Sequence, residues 1–199
     1  QLMAYIKKYY SGWKKSNYTL VTPKEPPQTK AKRAHFDFPS KTSPMLSIAF
    51  HGPAYSDEKI DKAALDLLAK TSFSSSSPLY QKLVIEEQKC LALSASFSDH
   101  RDPYLLVFNA TLKDEKDLSY VEEEIFKELE RLKKEPVPED VLADVKSNQK
   151  YSFADELGTT DGVAGTLAEY INLTTDPGTV NKLFDLYEKV TPGDIQEMA

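Results

Sequence analysis

The side chains of greatest chemical reach in this sequence are three histidines, His35, His51 and His100, and a single cysteine, Cys90. Two imidazoles four positions apart share a helical face and can grip one zinc ion, which still needs a third protein ligand. No two of the three histidines stand within five positions of each other, so no such pair exists in the chain. Asp99, His100 and Asp102 invite an acid–base reading. They crowd a single DHRDP segment with no nucleophile placed beside them, and turn-forming residues in that density read as a hairpin corner. A serine hydrolase would need a G-x-S-x-G elbow, which the sequence lacks. Cys90 has no histidine motif near it and reads as an inert thiol. The run Ser74, Ser75, Ser76 and Ser77 offers hydroxyls that either touch a ligand or simply connect and cap two helices. Glu122, Glu123 and Glu124 sit on a helix with an apolar stripe, which makes them a solvated face and not a calcium loop.

The elements that must position these residues follow from periodicity. Leu2, Met3, Ile6 and Tyr10 recur at helical spacing ahead of Gly12, and Pro23, Glu25, Pro26 and Pro27 then read as an extended linker. Tyr9, Tyr10, Trp13 and Tyr18 form an aromatic cluster suited to packing one domain on another. From 31 to 38 the period becomes two, with Ala34, Phe36 and Phe38 opposed to Arg33, His35 and Asp37, the pattern of a half-buried strand. A second strand is expected at 45–51, and a helix carrying Ile60, Ala64, Leu67 and Leu68 with Asp57 and Glu58 in its first turn. The serine run breaks that helix, and Ser77-Pro78 restarts another as cap and first helical residue. Segments 91–98 and 104–112 alternate around the DHRDP turn as an antiparallel hairpin. The rest is helical: a stripe of Leu118, Val121, Ile125, Leu129 and Leu132, a helix begun by Val141, Leu142 and Val145, two more at 161–173 and 179–190, and a capped start at Thr191-Pro192-Gly193-Asp194. Hairpin strands with helices segregated in sequence predict an α+β fold with an antiparallel sheet, not a βαβ repeat.

Composition narrows the function. With 199 residues, 40% hydrophobic and 28% charged, the chain is an ordinary globular one with a real core. A net charge of −6 disfavours nucleic acid, whose binding draws on clustered lysine and arginine. No apolar run reaches the ~18 residues that a bilayer span needs. One cysteine excludes an internal disulfide and leaves the redox compartment open. Both ends read as cuts inside a longer polypeptide.

Four segments in order resemble the second domain of insulinase- or pitrilysin-type zinc peptidases, relatives of the mitochondrial processing peptidase. They are IKKYYSGWKKSNY with PKEPPQ, HFDFPSKTSPMLSIAFHGPAYSD, SSPLYQKLVIEEQKCLALSASFS and KELERLKKEPVPEDVLADVKSNQKYSF. The resemblance implies an antiparallel sheet with helices packed on one face, the fold shared with LuxS-like metallohydrolases. It makes residues 1–30 the close of a preceding domain plus linker, and 31–199 the inactive C-terminal domain, ending before its last strand. An unpaired sheet edge, and with it self-association or reduced stability, is then expected. The family's zinc rests on an H-x-x-E-H helix in the first domain, so here no catalytic residue and no cofactor are expected, with zinc in the parent's upstream domain. The family also carries an Arg and a Tyr seven residues apart that assist substrate binding, and Val84 and Leu91 stand at those positions. Neither donates a hydrogen bond. Ser74–Ser77 align with a glycine-rich loop that contacts substrate. The implied function is a non-catalytic wall of a clamshell peptide chamber, its partners being the preceding domain, a second identical or different half, and a peptide, without nucleic acid or membrane. The alternative is a structural subunit of a non-proteolytic assembly. A periplasmic or other extracytoplasmic location is favoured over a cytoplasmic one.

Overall fold

Three of the alternating segments become strands: β1 (Met45–His51), β2 (Cys90–Phe97) and β3 (Leu105–Leu112). In this computed structural model, which describes residues 1–19, 21, 23 and 26–199, they form one antiparallel sheet in the order β1-β3-β2. β2 and β3 are the hairpin expected around the DHRDP turn, and β1 returns along the far side of β3 with Ile48 opposite Phe108. Period-two geometry sends Leu93, Phe97, Leu106, Phe108, Ala110 and Leu112 to one face, where all are buried. Phe73 and Phe108 meet there with ring centroids 4.6 Å apart, and burying each such ring contributes about 1.5–3 kcal/mol.

The helices fill that face. The first helix of the unit, α2 (Asp61–Phe73), is buried on almost every side, from Lys62 through Ala63, Ala64, Leu67 and Leu68 to Phe73. Such all-round burial marks a central helix, not an amphipathic surface one. A short α3 (Pro78–Tyr80) runs into a π-helical segment, Gln81–Glu86, and α4 (Leu118–Lys134) presents Val121, Ile125, Leu129 and Leu132 to the same core. α5 (Glu139–Glu156), α6 (Thr160–Thr174), α7 (Thr179–Lys189) and α8 (Pro192–Met198) complete the layer. The start of α8 carries the reciprocal capping box expected from Thr191 and Asp194.

The chain divides into two units, Gln1–Pro39 and Ser40–Ala199. The first holds α1 (Leu2–Tyr10), none of whose residues is buried, and Tyr10 meets Trp13 edge-on at 4.9 Å. Pro23, Pro26 and Pro27 have no regular secondary structure, whereas Glu25 of the expected linker lies outside the described residues.

Two expectations change. Residues 31–38 form no strand: Phe36 is 88% exposed and Phe38 70%. Alternation decides which side chains share a side, but a strand also needs a ladder partner, and this segment has none among the described residues. The order is therefore one strand shorter at its start. Asp57 and Glu58 are not in a helical turn either, since α2 begins at Asp61 and Ser56 Oγ accepts from the Glu58 and Lys59 backbone N–H groups (3.2 Å each). Asp57 instead pairs with Lys182 at 3.3 Å.

Candidate functional site

The serine run sits between α2 and α3, and its hydroxyls are unequal. Ser77 is buried and accepts from the Tyr80 N–H as the cap of α3, with Pro78 in the first turn. Ser74 Oγ and Ser76 Oγ bond each other at 3.0 Å, and Gln81 Nε2 donates to the Ser75 carbonyl at 2.7 Å. Ser75 and Ser76 face solvent. Of the four, these two present hydroxyls outward.

Val84 lies on the π segment, half-buried against the core, and Leu91 lies at the start of β2, 51% exposed, where a bulge shifts the register between Cys90 and Ala92. The turn between them is made by Gln88 at φ 53°. Lys82 bonds Glu124, Lys89 pairs with Asp117 at 2.6 Å, and both ammonium groups approach the Tyr120 ring, at 5.7 and 5.0 Å. Glu124, expected on a solvated face, is instead buried, and the Lys82 contact holds its carboxyl below its usual range. These contacts pin the π segment and the turn after it to the start of α4.

Asp99, His100 and Asp102 do occupy the β2–β3 turn, and His100 stacks on Tyr104 with centroids 3.8 Å apart. The structure adds a network that sequence spacing did not single out. Lys62 Nζ donates to Asp66 Oδ1 (2.6 Å), Asp66 Oδ2 (2.7 Å) and the Phe97 carbonyl (3.1 Å). That uses every N–H of an ammonium. Tyr187 donates its phenol to Asp66 as well. Asp99 Oδ1 lies 3.0 Å from Lys62 Nζ but is left buried without a hydrogen bond. Burial pushes the Asp99 carboxyl above the carboxylate range, with Lys62 opposing the shift, and burial likewise raises the phenols of Tyr170 and Tyr187. The one signal was a charged i,i+4 pair, Lys62 and Asp66, set among the apolar Ala63, Ala64, Leu65, Leu67, Leu68 and Ala69.

The second face of the sheet is chemically unlike the first. Register places Ser47 opposite Asn109, Ser94 across from Asn109 on the other side, Ala49 and Ser96 beside Val107, and Met45 and Ala92 beside Thr111. All are exposed or half-buried, and none is Asp, Glu, Lys or Arg. Ser47 Oγ donates to Asn109 Oδ1 at 2.6 Å.

A family model described as the peptidase M16 inactive domain matches residues 1–149. The chain belongs to that family. The resemblance to the inactive domain of insulinase-type peptidases, and the α+β fold with helices on one face of an antiparallel sheet, are thereby borne out. The M16 inactive domain described here is 25% identical over 169 residues to the zinc protease PqqE of Helicobacter pylori, covering 83% of this chain and 38% of that protein. It therefore spans well under half of that relative's length. Among solved structures, a protease from Helicobacter pylori superposes with a TM-score of 0.70 at 24% identity, covering 77% of this chain and 36% of the other. The periplasmic protease PqqL from Escherichia coli gives 0.62 at 17% identity, covering 99% and 22%. Both likenesses are of fold.

Zinc is the metal such relatives imply, and the residues of this M16 domain do not fit it. Among the described residues no group of three His, Cys, Asp or Glu side chains is placed to hold a metal ion. His35 contacts Asp37 at 3.1 Å in the Gln1–Pro39 unit, His51 closes β1, and His100 is stacked in the turn. Cys90 is buried, and burial pushes its thiol up to about 11, so it stays protonated at neutral pH. No described helix is long and apolar enough to cross a membrane.

Proposed function

We propose that this M16 inactive domain is a non-catalytic wall of an enclosed peptide chamber within a larger zinc-dependent peptidase, where it contacts substrate or the opposing half while hydrolysis takes place on another domain. The observation that carries this reading is the uncharged outer face of the sheet. A sheet face merely left to water is polar and commonly carries charged side chains such as lysine. A surface of Ser47, Ser94, Ser96, Asn109 and Thr111 hydroxyl and amide groups set among Ala49 and Val107 suits main-chain recognition of varied peptides, because it bonds backbone groups without selecting a charge. Such a wall acts by position, raising the fraction of productively held substrate.

The test uses the full-length parent, replacing Ser47 and Ser94 together by lysine. The expected result is a raised KM for unstructured peptides with kcat little changed, the sign of lost uniform binding. An unchanged KM would remove the outer face from the substrate path. The Ser75 and Ser76 hydroxyls are proposed as a further contact, to be tested by the Ser75→Ala/Ser76→Ala pair, which spares the Ser77 cap. The preceding domain and a second half of the peptidase are the proposed partners. A periplasmic or other extracytoplasmic location is proposed with them, supported by the periplasmic PqqL fold relative and checked by fractionating cells that express the parent.

A further inference from the structure

The two edges of the sheet are built differently, and register decides which backbone groups each one offers. The Leu112 N–H donates to the Pro44 carbonyl at 2.8 Å and the Gly52 N–H to the Tyr104 carbonyl at 2.6 Å, so the even-numbered residues of β1 bond β3. In an antiparallel ladder the odd-numbered ones, Met45, Ser47, Ala49 and His51, then turn their N–H and C=O groups the other way. There β1 has no neighbouring strand among the described residues.

The β2 edge is guarded twice. A bulge interrupts it between Cys90 and Ala92, and Lys62 of α2 donates to the outward Phe97 carbonyl at 3.1 Å. The β1 edge has neither device. Its pairing with β3 runs without a shift from Met45 to His51, and MLSIAFH contains no proline, lysine, arginine, aspartate or glutamate. The apolar layer beside it is open as well: Leu46 and Ile48 are only half-buried, Phe50 is 41% exposed, and its aromatic neighbour Phe126 of α4 is 40% exposed. An uncharged, unbulged edge with apolar side chains on view is the kind that takes on another strand.

We propose that β1 pairs antiparallel with β1 of a second copy about a two-fold axis through Ile48, joining two three-stranded sheets into one. The occupant follows from the strand itself. With Ile48 on the axis, Ser47 and Ala49 of one copy meet Ala49 and Ser47 of the other as bonded pairs and Met45 meets His51, so every outward group finds a partner. Toward the helices Ile48 meets Ile48 and Leu46 meets Phe50, which carries the half-buried apolar row across the junction. No like charges face each other along it. The pairing is independent of the outer-face reading: it concerns the 199-residue chain alone and needs no peptidase activity.

The experiment is analytical ultracentrifugation of that chain from micromolar to submillimolar concentration, with enough salt to screen the net charge of −6 on each copy. A reversible dimer is expected. Ala49→Pro removes an N–H that β3 does not use, so the monomer keeps its ladder while the dimer loses two hydrogen bonds and weakens roughly thirtyfold. Ala49→Lys keeps that N–H and weakens the dimer by setting two cations diagonally across the axis, which decides the matter even where the proline variant melts early. Cysteine cross-linking reads the register. Residues on the axis form a non-bonded pair with Cα atoms about 4.5 Å apart, so Ile48→Cys should join two copies on oxidation, whereas Leu46→Cys, facing Phe50, should not. Cys90 is buried and stays out of the reaction. A wild type that is monomeric throughout, a dimer indifferent to both changes at Ala49, or equal cross-linking at positions 46 and 48 would overturn the proposal. So would a monomer in which an added uncharged, extended peptide protects the Ser47 and Ala49 amides from hydrogen exchange, since the edge would then belong to peptide.

Discussion

The two faces of one small sheet share strands, register and backbone hydrogen bonds, yet they obey different rules. Toward the helices, Leu93, Phe97, Phe108 and Leu112 are closed off from solvent, and each is fitted to its neighbours. Away from them, Ser47, Ser94, Ser96 and Asn109 remain accessible and nearly unbonded to one another apart from the Ser47–Asn109 contact. The inner face stabilises the domain. The outer face is left open to solvent, and its lack of charge is the feature on which the proposed chamber wall rests.

This contrast can be broken most forcefully at adjacent residues of the two faces. Phe108→Ala should cost about 3–5 kcal/mol in denaturant unfolding, because a fully buried ring leaves a cavity. Ser94→Ala should change stability by no more than about 0.5 kcal/mol, as surface substitutions do. A large loss at Ser94 would mean that the outer face is part of the core after all. Next in size is Lys62→Met, expected to destabilise by about 3–5 kcal/mol, since Asp66 and Asp99 would then be buried with no cation between them. Ser77→Ala should cost about 1 kcal/mol by removing the α3 cap, while Ser75→Ala costs almost nothing. Thermal melts that rank the two serines the other way would reassign the loop.

The smallest expected effect depends on pH. A carboxyl whose folded pKa is raised, as at Asp99, favours the folded state while protonated and loses that contribution as pH rises through the folded value. Asp99→Asn should therefore melt above the wild type at neutral pH, with the gap closing on acidification. Asp194 runs in the opposite sense. Its bonds from Thr191 hold its carboxyl low, so the α8 cap it supports is lost as pH falls. A wild type whose stability advantage over Asp99→Asn grows as the pH rises would show that Lys62 does neutralise both carboxylates.

Much of this was legible in the sequence where a local rule suffices. The hairpin at 90–112, the stripe on α4, the Ser77-Pro78 start and the Thr191–Asp194 box each need only a period or a cap. The strand expected at 31–38 failed because alternation says nothing about whether a neighbouring edge is within reach. The interior of α2 escaped for the converse reason: Lys62 and Asp66 look like a surface pair until the helix is enclosed on all sides. Asp99 was read correctly as a turn residue, but its missing hydrogen bond arises from donors spent thirty-odd positions away, which no local window contains.

The π-helical stretch Gln81–Glu86 bears on how this chain tolerates change. A π turn takes up one more residue per turn than an α turn would, so the stretch holds one residue more than the path from Ser77 to β2 needs. Substitutions at the exposed Gln81, Ile85 and Glu86 should be forgiven, but not at the fully buried Leu83. Deleting one residue inside the stretch is then absorbed, because the wide turn closes to an α turn and β2 stays in phase, whereas a deletion within β2 exchanges the hydrophobic and hydroxyl sides of every residue beyond it.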